Sequence, residues 1–221
     1  GKLLQTFYAD TRGEARFRHL LVVGLGKKEE FKVDYLRRAA GTAVRYAASL
    51  KEKEFAMHLP SKFVGRSELL MMVQAMTEGA ILASYRFDRY KTKKEDLFIV
   101  EKARIVTEED VSDGVRLGSI LANAQNYARG LDELPANIAT PETVVNEARK
   151  LAREYGFAIS VYGRDRLKRM GMNGILAVCQ GSRNPPALVR LEYNRGRGGR
   201  RYPHVCIVGK GVCFDSGGIS I

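Results

Sequence analysis

Short apolar runs alternate along this chain with longer stretches in which apolar residues recur every three or four positions. That alternation is the strongest constraint on the fold. Leu20-Leu21-Val22-Val23 is a compact apolar run that ends in Gly24-Leu25-Gly26, the pattern of a buried strand entering a tight turn. Leu36, Ala39, Ala40, Ala43, Val44 and Ala47 then follow at helical spacing, with Asp34 placed to cap the helix. The same rhythm predicts a strand at Phe55–Leu59, a largely buried helix from Ser67 to about Tyr85, and a short strand at Phe98–Val100. A long helical pattern runs from Glu108 to about Leu131. Beyond it, Thr140, Pro141 and Gly156 have the identities and spacing of a cap, a first helical residue and a C-terminal stop. Strands are expected at Phe157–Val161, Ile175–Val178, Leu188–Tyr193 and Val205–Val208, with a short helix at Arg164–Met170. Strands that alternate with helices specify an α/β layered fold.

Composition removes several alternatives. Apolar residues are 45% of the 221 and charged residues 28%, which suits a packed domain and not a disordered chain. No apolar run approaches the roughly 20 residues of a helical membrane span. Cys179, Cys206 and Cys213 are too few for a disulfide framework and form no C-x-x-C pair. The net charge of +12 creates a field that attracts polyanions, and the densest cationic stretch is Arg195–Arg201, RGRGGRR.

Most of the conspicuous short motifs have plain structural readings. Gly24-Leu25-Gly26-Lys27-Lys28 lacks both the third glycine of a dinucleotide fingerprint and the spacing of a P-loop, so it reads as a strand-to-helix turn. Met71, Met72 and Met76 share a helical pattern and read as core filler. His19, His58 and His204 are isolated and make no metal-binding pair. The end of the chain is more informative. Gly209 and Gly211 flank Lys210 after the apolar run Val205–Val208, and Asp215 precedes Gly217-Gly218. Binding sites in α/β folds gather at the carboxyl ends of strands. On residue chemistry alone, Lys210 and Asp215 are either an ion pair in a turn or a ligand-binding pair.

The segment VGKGVCFDSGGISI, residues 208–221, resembles the signature of the leucyl (cytosol) aminopeptidase family of two-metal exopeptidases. Other segments resemble that family in order and spacing: LLVVGLGKK at 20–28, RRAAGTAV at 37–44, EGAILASYRFDRYK at 78–91, LPANIATPE at 134–142 and GMNGILAVCQGS at 171–182. Glu133 stands where the family usually has Asn, and Cys213 where Thr is common.

The resemblance implies an N-terminal macro-like α/β domain over 1–107, a linker helix over 108–133, and the first part of an α/β aminopeptidase catalytic domain over 134–221. It implies that Lys210 and Asp215 are ligands to two divalent metal ions, Zn²⁺, Mn²⁺ or Mg²⁺. No catalytic residue is expected within the chain, because the family's catalytic lysine would fall one residue beyond Ile221. The chain is accordingly expected to be an internal piece of a longer aminopeptidase, inactive by itself. The implied parent is a cytoplasmic homohexamer that removes N-terminal, leucine-like residues from peptides. The alternative reading adds a DNA-binding role in recombination or transcription through the basic surface.

Overall fold

The computed structural model describes residues 1–60, 65–93, 99–193 and 203–213. The chain divides into two compact units, Gly1–Gly130 and Leu131–Ile221. Both are mixed α/β, as the alternation requires.

In the first unit, β1 (Thr6–Asp10) and β2 (His19–Val23) form an antiparallel hairpin with Phe7 opposite Val22 and Asp10 opposite His19. β1 was not expected from the sequence. Its five residues, TFYAD, are too short and too polar at both ends to show a period. The connection uses a tight turn with Arg12 at φ 50° and Gly13 at φ 88°, closed by the Glu14 N–H donating to the Thr11 carbonyl at 2.9 Å. His19 ties the hairpin to the rest of the unit. Its Nδ1 is 2.7 Å from the Tyr8 hydroxyl and its Nε2 is 3.2 Å from a Glu52 carboxylate oxygen.

β3 (Glu54–His58) pairs in parallel with β4 (Lys102–Val106), and α2 (Arg66–Ser84) lies between them in sequence, giving a βαβ unit. The expected strand at Phe98–Val100 is corrected to Lys102–Val106. Phe98 lies outside the described residues, while Ile99 is 60% exposed and outside any strand. The later register sets Ile105 opposite Met57, and both pack on the core.

α1 (Val33–Ser49) buries Leu36, Ala40, Gly41, Val44 and Ala47, a single stripe at three- and four-residue spacing. Its cap position is Lys32, with no side-chain cap bond, so Asp34 is not the cap. Asp34 sits inside the first turn and binds Arg37 instead. The α2 helix is buried on nearly every side at its middle, from Leu69 to Ala80. Met72 and Met76 are core residues as expected, but Met71 faces outward and is 52% exposed.

Two features draw the helices of this unit together. Gly79 of α2 meets the backbone of α1, where an added Cβ would overlap the Arg37 carbonyl oxygen. Next to this contact Glu78 is buried, accepting from Arg37 Nε at 2.8 Å and from Gln74 Nε2 at 2.8 Å. On another side of α2, α3 (Ser112–Asp132) approaches through Gly114 and Gly118. Added Cβ atoms there would lie 2.8 Å from the Leu70 carbonyl oxygen and 2.7 Å from that of Gln74. Ala122, fully buried, continues the same small-residue row.

The second unit begins with α4 (Pro141–Tyr155). Thr140 Oγ1 accepts from the Thr143 N–H at 3.3 Å, Pro141 opens the helix, and Gly156 closes it at φ 74°. Val145, Ala148 and Ala152 form its buried stripe. β5 (Ala158–Tyr162) pairs antiparallel with β6 (Leu188–Glu192). Between them lie α5 (Arg164–Arg169), anchored by the fully buried Leu167, and α6 (Asn173–Val178). The strand expected at Ile175–Val178 is therefore a helix. The segment follows directly on the left-handed turn at Gly171, and Leu176 N–H donates to the Met172 carbonyl at 3.3 Å. An apolar run of four residues carries no period that separates the two states.

Candidate metal centre

Lys210 is placed on the described segment 203–213, which contains no strand or helix. The strand expected at Val205–Val208 is corrected accordingly. Val205, Ile207 and Val208 are 84%, 94% and 89% exposed, and none has a strand partner among the described residues. A central strand is fixed by ladder bonds to both neighbours, so apolar sequence alone does not produce one. Lys210 is itself exposed. A Cβ added at Gly209 or Gly211 would meet nothing within 4 Å, so the backbone on either side of Lys210 is open.

Asp215, with Gly217 and Gly218, lies outside the described residues, as does the Arg195–Arg201 stretch. The structure therefore assigns no distance between Lys210 and Asp215. The donor chemistry of the two is compatible with a divalent ion. Carboxylate oxygens are hard donors suited to Mg²⁺, Mn²⁺ or Zn²⁺, and an uncharged lysine amine offers one nitrogen lone pair.

Cys213 is partly buried, and burial pushes its thiol pKa up. Cys206 is exposed, and the Cys179 thiol donates to the Leu176 carbonyl at 3.2 Å. Among the described residues no group of three or more His, Cys, Asp or Glu is arranged to hold a metal ion.

Comparison with known proteins decides the family. A model of the cytosol aminopeptidase family N-terminal domain matches residues 1–94, and one of the same family's catalytic domain matches residues 126–221. The chain belongs to the cytosol aminopeptidase family. Both Lys210 and Asp215 fall inside the catalytic-domain match. A probable cytosol aminopeptidase of Aquifex aeolicus (strain VF5) is 40% identical over 200 residues, which is 90% of this chain and 39% of that protein. One from Sulfurihydrogenibium sp. (strain YO3AOP1) is 40% identical over 216 residues, 96% of this chain and 42% of that protein. Among solved structures, the bottromycin maturation enzyme BotP in complex with Mn superposes with a TM-score of 0.74 at 27% identity, covering 87% of this chain and 40% of that one. The chain spans about two fifths of the length of these two relatives. No helix among its described residues is long and apolar enough to cross a membrane.

Proposed function

We propose that the full-length protein is a metal-dependent aminopeptidase that releases N-terminal, leucine-like residues from peptides. The observation that carries this reading is the catalytic-domain match over 126–221, which contains the run from Val208 to Gly218 with Lys210 and Asp215 in it. The manganese of the related BotP structure supports a divalent cofactor. In this reading 1–107 is a macro-like domain, 108–133 a linker helix and 134–221 the start of the catalytic domain. The same reading makes the protein a cytoplasmic homohexamer.

Lys210 and Asp215 would hold the metal pair. Divalent ions bound there would polarise a peptide carbonyl and lower the pKa of a bound water. Lys210 would bind only as the neutral amine, because an ammonium has no lone pair to give. Asp215 would supply carboxylate oxygen and a negative charge to offset the cations. Gly209 and Gly211 leave the Lys210 backbone free of side chains on both sides, so that bulky partners can approach.

The test is hydrolysis of leucyl-p-nitroanilide by the purified full-length protein, before and after chelation and after adding back Mn²⁺, Zn²⁺ or Mg²⁺. Activity lost on chelation and restored by at least one ion is the expected result. Hydrolysis indifferent to exhaustive chelation, or absent with every ion, would overturn the proposal.

A further inference from the structure

The last turns of α3 are held by one side chain in a way that the packing of the helix does not require. Arg129 Nη1 donates to the Leu82 carbonyl at 3.1 Å and to Asn126 Oδ1 at 3.0 Å. Its guanidinium lies over the Tyr85 ring, 4.1 Å from the centroid. Asn126 in turn donates from Nδ2 to the Ile81 carbonyl at 3.2 Å. Ile81 and Leu82 belong to the last turn of α2, whose carbonyls have no backbone partner within the helix, although Ile81 also accepts from Ser84 Oγ at 2.8 Å. Tyr85 also covers the next residue of α3, since a Cβ on Gly130 would sit 3.5 Å from the tyrosine hydroxyl.

These contacts stand at a particular place. The first compact unit ends at Gly130, while α3 continues to Asp132. The final turn of α3 is thus the chain's exit from the first unit. It contains Gly130, the residue with the highest helix-breaking tendency after proline, and it is followed by Pro135. By intrinsic preference this turn should fray.

We propose that Arg129 is a clamp on the exit turn of α3, a positioning residue that keeps 129–132 helical against its own propensity. Three independent contacts on one planar cation make this more specific than a helix cap. A lysine could keep the charge over the ring but cannot also reach two acceptors in a fixed plane. Releasing the clamp frees the exit turn while leaving the Gly114, Gly118 and Ala122 contacts of α3 in place, so opening is local. The inference does not depend on the proposed aminopeptidase activity.

Hydrogen exchange of the purified chain, read by mass spectrometry on the peptide spanning 127–134, tests it. Arg129→Ala should speed exchange there by about tenfold, with α1, β3 and the 114–122 part of α3 unchanged. Tyr85→Leu should give a smaller increase in the same peptide, and Arg129→Lys should recover part of the protection. Unchanged exchange at 127–134 in Arg129→Ala would overturn the proposal. So would an equal rise across the whole first unit, because that would mark a general loss of stability and no local clamp. If Arg129→Ala does not fold, Tyr85→Leu and Arg129→Lys decide alone, and no local increase in either would refute the clamp.

Discussion

Gly79→Ala separates packing from helix propensity most sharply. Propensity alone predicts a gain, because alanine is about 1 kcal/mol better than glycine inside a helix. The structure predicts a loss. The new Cβ would overlap the Arg37 carbonyl oxygen and lie 2.7 Å from its carbonyl carbon, and both are backbone atoms of α1 that cannot rotate away. Relief requires α1 and α2 to part by about 1 Å, enough to forfeit a quarter to a half of the dispersion energy at each facing contact. Leu36 and Ala40 on α1 and Leu69, Met72, Val73 and Met76 on α2 share that core. The shift also loosens the Arg37–Glu78 pair beside the contact. Overpacking and the loosened pair together cost about 2–4 kcal/mol, leaving a net loss of about 1–3 kcal/mol after the propensity gain. Gly174→Ala is the control, since a Cβ there meets nothing within 4 Å and α6 should be unchanged or slightly stabilised. Urea unfolding followed by circular dichroism reads both as shifts in midpoint. A Gly79→Ala chain as stable as the parent would refute the packing argument.

Arg37→Ala should destabilise the first unit by about 2–4 kcal/mol, because it strands the buried Glu78 carboxylate, and Arg37→Ala with Glu78→Gln should recover part of that loss in the same urea assay. For acid sensitivity, the Ser112 backbone N–H holds the Asp110 carboxyl below its usual range. A depressed folded-state value means that the stabilisation is present above the ordinary carboxylate range and is lost as pH falls through the lowered value. Exchange at the start of α3 should therefore rise, after correction for intrinsic rates, as pH drops below about 4, and Asp110→Asn, which keeps the acceptor without the titration, should abolish that pH dependence.

The elements that were legible in the sequence carry their own local chemistry. For α4, the Thr140 cap, Pro141 and Gly156 mark both ends, and the structure has all three in those roles. The stripe of α1 was legible for the same reason, although its cap was not. Lys32 has no capping oxygen, so Asp34 was the nearest candidate. What could not be read depends on partners distant in sequence. β1 exists through its ladder with β2, and β4 falls at 102–106 because Ile105 has to meet Met57. α6 and the 205–208 segment show the opposite error, apolar runs read as strands where the structure supplies no ladder. For the candidate site, Lys210 and Asp215 were visible as a motif, while the α3 contacts were missed. The Gly114–Gly118–Ala122 spacing was the available signal for close helix approach. The Arg129 contacts left no comparable trace, because the partners that tie them to α2, the Leu82 carbonyl and the Tyr85 ring, are more than 40 residues away in sequence.

Metal content and turnover of the full-length protein carrying Lys210→Arg address the central assignment most directly. Arginine keeps the positive charge but stays protonated and has no lone pair to donate. If Lys210 is a metal ligand, elemental analysis should show reduced metal per chain, and hydrolysis of leucyl-p-nitroanilide should be abolished. If Lys210 only pairs with Asp215, the guanidinium should serve as well. A Lys210→Arg protein with full metal and a near-parental rate would contradict the assignment.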